Sequence, residues 1–183
     1  TFHQVVDEVT VPSANGNATA IAVNPATGKV YVAVTGTQAG LYVGDPQAQT
    51  MTMLFQTNVN GLGNITSIAV NDLDNVIYAV GTTTLHAIDG ATDTRVATIP
   101  LAASASAGNL DTRLGIDRVN GRVFVRLGSF PNPSNLVVVD GKKTIAPNTP
   151  NPNFNTILAT VNLGRESNNA TMAVDETGHR VIA

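Results

Sequence analysis

The sequence predicts an all-β fold made of repeated four-stranded antiparallel units, and three observations lead there. A stretch that opens at Thr19, TAIAVNPATGKVYVA, returns as TSIAVNDLDNVIYAV from Thr66, TRLGIDRVNGRVFVR from Thr112 and TMAVDETGHRVIA from Thr171. Its anchors Ile21, Ile68, Leu114 and Met172 recur 47, 46 and 58 positions apart, the kind of spacing that marks repeat architectures. Within each copy apolar residues stand two apart, as in Ile21 and Val23 or Ile68 and Val70, which is strand periodicity. Two further apolar runs follow each of the first three copies. Four strands per unit, repeated at this spacing, make the blade of a β-propeller.

Taken in order, the first strand of each unit carries small residues between its anchors: Ala22, Ala69, Gly115 and Ala173. Both of its faces are therefore apolar, and the strand is expected to be buried on both sides. A polar turn follows, Asn24-Pro25-Ala26-Thr27-Gly28 in the first copy and Asn120-Gly121 in the third; such residues supply the fixed or positive φ of a hairpin. Second strands are expected at Val30 to Ala33, Val76 to Val80, Val123 to Val125, and from Val181. Third strands are LYVGD from Leu41, LHAID from Leu85 and LVVVD from Leu136. Each ends in an aspartate, Asp45, Asp89 or Asp140, followed by Pro46, Gly90 or Gly141. That is turn chemistry, because the carboxylate accepts backbone N–H groups just ahead of it. Fourth strands are MTMLF from Met51, RVATIPL from Arg95 and TILATVNL from Thr156.

Blades are thus expected at 18–55, 66–101 and 112–163. The segment 1–12 reads as the last strand of a preceding blade, since Val9-Thr10-Val11-Pro12 parallels Ala97-Thr98-Ile99-Pro100. The segment 171–183 reads as the start of a following one. The expectation is an open or fragmentary propeller, about three complete blades with partial blades at both ends, whose edges are covered by further copies or segments. Two insertions stand out in the third unit. KKTIAPNTPNPNFN, 142–155, separates its third and fourth strands; Pro147, Pro150 and Pro152 are expected to keep it extended and out of the sheet. It reads either as a lid or partner contact or as a tolerated surface loop. The other, Ser129 to Asn135, separates strands two and three and is expected on the opposite face.

VNPATGKVYVA, followed in the next unit by LHAIDGATDTRVATIPL, resembles the YVTN β-propeller repeat. The naming strand here reads Tyr31-Val32-Ala33-Val34; the second copy has Tyr78-Ala79-Val80 and the third replaces the tyrosine with Phe124. The resemblance implies a propeller at the cell surface or outside the cell and leaves the activity open, because one fold hosts many functions. It also allows a fragment of a propeller enzyme, such as a lactonase-like hydrolase or a quinone-linked dehydrogenase subunit, with catalytic groups partly on other blades. The chain lacks Trp and any Gly-His signature, which argues against tryptophan–aspartate repeats, and it lacks the paired glycines of kelch repeats.

Composition narrows the setting. At 183 residues the chain can bury a sizeable core. Only 13% of residues are charged, and Asn, Thr and Gly abound, which suits an exported β-rich protein, extracellular, cell-surface or periplasmic. The net charge is −3 with no basic cluster, so no nucleic-acid partner is expected. There is no cysteine, which excludes disulfides and thiolate metal sites. No apolar run is long enough to span a membrane.

Propeller ligands usually sit on the face formed by the fourth-to-first and second-to-third connections. On that face the sequence singles out Asn109, Asp111, Arg113, Arg126 and Arg165. Their arginine forks suit a carboxylate or a sugar; the competing reading is a local ion pair that positions the loop. The neighbouring amides and hydroxyls suit a glycan or peptide. No catalytic set is apparent: Gly-x-Ser-x-Gly is absent, and Gly61-Leu62-Gly63-Asn64 lacks the lysine of a phosphate loop. His3, His86 and His179 are scattered, and the repeated aspartates are explained by turns, so neither metal nor cofactor is expected. Asn17, Asn64 and Asn169 open glycosylation sequons. The expected function is a non-enzymatic binding or structural scaffold with a protein or glycan partner; the alternatives are the enzyme fragment and a self-assembling extracellular structural protein.

Overall fold

The computed structural model describes residues 10–11, 16–45, 47–57, 64–101, 111–129, 132–164 and 172–182. Strands β1 (Ala18–Val23), β2 (Val30–Val34), β3 (Gly40–Asp45) and β4 (Thr50–Gln56) form an antiparallel sheet in chain order. A second sheet of the same order comprises β5 (Ser67–Asn71), β6 (Val76–Val80), β7 (Thr84–Asp89) and β8 (Thr94–Pro100). The third begins with β9 (Asp111–Asp117), β10 (Arg122–Ser129) and β11 (Asn132–Asp140). After a small hairpin, β12 (Thr144–Ala146) with β13 (Thr149–Pro150), it is closed by β14 (Ile157–Gly164). Finally β15 (Ala173–Asp175) pairs with β16 (Arg180–Ile182). The first strands β1, β5, β9 and β15 lie side by side. The sheets therefore fan out from a common axis as the blades of a β-propeller.

Each hairpin turn repeats one device. Asn24, Asn71, Asp117 and Asp175 end the first strands, and their side-chain oxygens accept backbone N–H groups from Ala26, Asp74, Asn120, and Thr177 with Gly178. The far end of each turn is left-handed: Gly28 (φ 73°), Asn75 (51°), Gly121 (63°) and His179 (52°), a region open to glycine and tolerated by Asn and His. Third-to-fourth turns follow the same plan. Asp45 accepts from Gln47 and Ala48, Asp89 from Ala91 and Thr92, and Asp140 from Lys142. Gln49 (φ 53°) and Asp93 (φ 57°) close the first two. In the third blade the closing residue is Asn155 (φ 64°), and Asn151 caps it by accepting from Asn153 N.

The insertion at 142–155 is thus spliced into an otherwise regular turn. It is not the extended loop its prolines suggested: it folds back as β12–β13. Asn151 is buried and donates to the Lys142 carbonyl at 2.8 Å, and Phe154 packs on the apolar core. The expected insertion at Ser129 to Asn135 is largely strand, with β10 and β11 simply running longer. First strands are also less buried than their apolar pattern suggested: Ile21 is 68% and Val23 57% exposed. Full burial falls on strands two and three, and Val76 to Val80 are all at 0%. The reason is position. A middle strand has a strand on either edge and packs over its faces, whereas an innermost strand borders the axial opening. Of the segment 1–12 only Thr10 and Val11 lie among the described residues, and Val11 packs against Val32, Val34 and Tyr42.

Blades are joined by apolar faces with polar pins. Tyr31, Ala33, Leu41 and Val43 of the first blade pack on Ile77, Ala79 and Ile88 of the second. The second blade's other face, Tyr78, Val80, Leu85 and Ala87, packs on Val123, Val125, Val137 and Val139 of the third. The hydroxyls of Tyr31 and Tyr78 cross the seam: Tyr31 donates to Asp93 Oδ1 at 2.7 Å and Tyr78 to Asn155 Oδ1 at 3.0 Å. Gly90 and Gly141 have no left-handed φ; what they supply is room. A Cβ on Gly141 would lie 2.7 Å from Val123 Cγ2 and 2.8 Å from the Tyr78 hydroxyl, and one on Gly90 would lie 2.1 Å from Asn75 Oδ1. The repeated Asp-Gly therefore has two jobs, the aspartate capping the turn and the glycine admitting the seam.

Gly141→Ala and Gly90→Ala are expected to lower stability by roughly 1–3 kcal/mol through overpacking. Tyr78→Phe, which copies the third blade, should cost about 1 kcal/mol. Urea midpoints at constant slope check both, and an alanine at Gly141 that leaves the midpoint unmoved would refute the steric account.

Candidate functional site

Asp111 begins β9, and its backbone pairs opposite Gly128. Arg113 stands directly across from Arg126 in the same ladder, so the two share a sheet face. Their exposures differ. Arg113 is exposed, while Arg126 is 2% exposed and donates to Ser134 Oγ at 3.4 Å. By register Arg126 replaces Ala33 and Val80 of the other blades. Space for its guanidinium comes from Gly128, where a Cβ would lie 3.1 Å from Nη1. Asn109, Arg165 and Asn169 lie outside the described residues, as does the side chain of Asp111. Asn17 is exposed, with its backbone N–H on Thr35 Oγ1. Asn64 is half-buried, and its Oδ1 is buried with no hydrogen-bond partner among the described residues.

The side chains that converge lie on the opposite face, among the first-to-second and third-to-fourth turns. Lys29 pairs with Asp93 beside Tyr31. Lys143 reaches back to Asp89 at 2.8 Å, while its backbone N–H donates to Asp74. Beside the axis, Arg118 donates Nε to Glu176 Oε1 at 2.8 Å and Nη2 to Oε2 at 3.0 Å, and its Nη1 spans both oxygens of Asp72 at 3.2 Å. Such forked pairs fix geometry as well as charge. The Arg118 contact holds the Glu176 carboxyl below its usual value, and Lys143 does the same for Asp89. Asp72, Arg118 and Glu176 occupy one and the same place in successive copies, with Pro25 in the first. Aligning the copies turn by turn shows this acid–base–acid series in the sequence; a search confined to the other face misses it.

Beneath the triad the inner strands leave a depression of about 440 Å³. Its floor is apolar, with Val23, Val70 and Leu114, under a rim of Asp72, Arg118 and Glu176. A second cleft of about 420 Å³ separates the third blade from β15–β16 and includes Asp117, Arg122, Phe124 and His179. There His179 Nδ1 lies 2.8 Å from Asp117 Oδ2. Burial alone would raise the Asp117 carboxyl, but the Asn120 N–H, its amide and His179 together hold it below the usual range.

His86 is a core residue. It is fully buried, with Thr84 Oγ1 at 3.2 Å from Nε2 and the Phe55 ring at 5.0 Å. Desolvation, helped by Arg95, pushes its pKa from 6.5 down to about 4, so the ring is neutral. Among the described residues no three His, Asp or Glu side chains are placed to hold a metal ion, and no helix is long and apolar enough to cross a membrane.

No family model matches the chain, and no curated protein matches it. Among solved structures, a chain of the crystal structure of a nidogen/laminin complex superposes with a TM-score of 0.54 and 15% identity. The match covers 90% of this chain and 55% of that one, so this chain spans just over half the length of its structural neighbour. At that identity the likeness is one of fold, and the fold is that of a β-propeller.

Two outcomes follow from these side chains. Unfolded His86 takes up a proton near pH 6.5 and the folded ring only near 4. Stability should therefore fall as pH drops between those values, by up to roughly 3 kcal/mol. Urea midpoints at pH 7 and 5 test this, and His86→Tyr, which copies Tyr42 of the first blade, should flatten the slope. Arg118→Gln should lower the midpoint most at low salt, with the difference shrinking as salt is raised; a salt-independent difference would show that the triad contributes packing instead.

Proposed function

We propose that this chain is a segment of an exported β-propeller of the YVTN type, located at the cell surface, outside the cell or in the periplasm, that serves as a non-enzymatic scaffold for a protein partner. The observation that carries this reading is the axial depression, with its apolar floor under a rim of ion-paired side chains. An apolar centre ringed by polar groups is the layout of protein interfaces, and a rim already held by its own ion pairs loses little side-chain freedom on binding. Lys29, Lys143 and Arg118 on this face are occupied in joining blades to one another, which fits a scaffold better than acid–base or nucleophilic chemistry. The fold likeness to a chain from a nidogen/laminin complex agrees with a protein partner. A glycan would find its contacts on the other face, at Arg113 and the amide-bearing loops.

The test has two parts. Fractionation and protease shaving of the producing cells should find the protein outside the cytoplasm. The purified protein should bind a defined extracellular protein of the same source saturably, and Val23→Glu, a change at an exposed floor residue, should abolish binding with the circular dichroism spectrum unchanged. Turnover of lactones or quinone-linked substrates by the purified chain would overturn the scaffold reading, as would a cytoplasmic location.

A further inference from the structure

The first-to-second turns share one capped shape, and the third residue of the turn is Ala26, Leu73, Val119 and Thr177 in the four copies. All four are exposed. Leu73 is 69% and Val119 56% exposed, and neither belongs to the apolar cores of the described residues. Turns favour small and polar residues, so the turn itself calls for neither aliphatic side chain. Single exposed aliphatics are ordinary on protein surfaces, but these two are adjacent. Asp72 and Arg118, the residues just before them, pair at 3.2 Å. Leu73 and Val119 therefore stand side by side over the seam between the second and third blades. Both turns are held in place. Asp74 N donates to Asn71 Oδ1 and Asn120 N to Asp117 Oδ1, and the Lys143 backbone N–H fastens Asp74 from outside.

We propose that Leu73 and Val119, with the Asp72 and Glu176 carboxylates beside them, form a docking patch for a partner protein that presents an aliphatic or aromatic side chain flanked by a lysine or arginine. The apolar group covers the two tips, which are rigid before binding and so lose little freedom on it. Charge selects the flanking residue. Asp72 and Glu176 share the one guanidinium of Arg118, so the set carries a net negative charge. A carboxylate has about four acceptor sites, and Arg118 uses two on each, which leaves room for a second cation. Around them Asp175 is offset by Arg180 at 3.0 Å and Asp117 lies against His179, so no surplus of positive charge opposes that cation. An acidic segment, or an anionic lipid surface, would be repelled. The patch depends on the reading of this face as protein-binding; it adds what the partner must carry, through turn tips that lie outside the axial depression.

The probe is a phage-displayed library of random linear peptides, panned against the immobilised full chain. Enriched peptides are expected to carry Leu, Ile, Val or Phe next to Lys or Arg, and a synthetic peptide of the enriched sequence should bind saturably. Leu73→Ser combined with Val119→Ser should weaken that peptide about tenfold or more, with the circular dichroism spectrum unchanged. Added salt should weaken the parent complex by screening the charge pair. If the double variant does not fold, the two single substitutions are measured in its place. Failure to enrich any peptide overturns the proposal. So does enrichment of acidic peptides, or of peptides that bind the double variant as tightly as the parent. Each of these leaves the scaffold reading to stand or fall on its own test with the extracellular protein and Val23→Glu. Saturable binding to phosphatidylcholine vesicles that is lost in the double variant overturns the proposal too, by making a lipid surface the occupant.

Discussion

The seam between one blade and the next is the interaction on which the rest of this molecule depends. A single four-stranded sheet has two apolar faces here, and neither can be covered from within its own blade. Tyr31 and Tyr78 show how the seam is built. Both are fully buried, so each buries a large ring together with a hydroxyl that must find a partner. Burial, more than any other influence, drives their phenols well above the ordinary value. They stay neutral and can donate, and in each case the acceptor is a turn residue of the following blade. Apolar area supplies the free energy of docking, and the hydroxyl sets the register at which docking is allowed.

That constraint reaches back into the turns. A turn that accepts the neighbour's tyrosine must hold an aspartate or asparagine in the left-handed region, as Asp93 and Asn155 do. It must also lack a Cβ where the seam closes, hence Gly90 and Gly141. The same geometry explains why the third blade can carry an insertion. Extra residues enter between Asp140 and Asn151, and the capping and closing residues are rebuilt at Asn151 and Asn155, so the contact to Tyr78 survives. Phe154 and Asn151 tie the added hairpin to the core, which makes it part of the seam rather than an appendage. Charged side chains follow the same logic: Lys29, Lys143 and Arg118 each tie neighbouring blades together.

Much of this was legible in the chain. The recurrence of Ile21, Ile68, Leu114 and Met172, the alternation within each strand and the aspartate at each third-strand end lead to blades of four antiparallel strands. The turn role of Asp45, Asp89 and Asp140 could be read from the residue that follows each. Other features could not be read this way. The apolar alternation of Ile21 and Val23 is the same whether a strand is central or innermost, so the pattern overstated their burial. Arg126 looks like a surface fork in the sequence, yet it occupies a position that is Ala33 or Val80 elsewhere and is buried beneath Gly128. The prolines of 142–155 disfavour joining the blade's sheet but do not forbid a separate hairpin closed by Asn148 in the left-handed region.

The sequence by itself determined the class of fold and the unit that repeats, because strand alternation, turn capping and left-handed turn residues act within a few positions of one another. It also determined which residues are interchangeable between copies. Only the tertiary structure decided which of them meet. Tyr78 and Asn155 are separated by 77 positions, Tyr31 and Asp93 by 62, and Arg118 and Glu176 by 58. These pairings arise when sheets stack at a particular angle about an axis. That angle is fixed by side-chain volumes on two faces at once, and no local pattern in the chain records it.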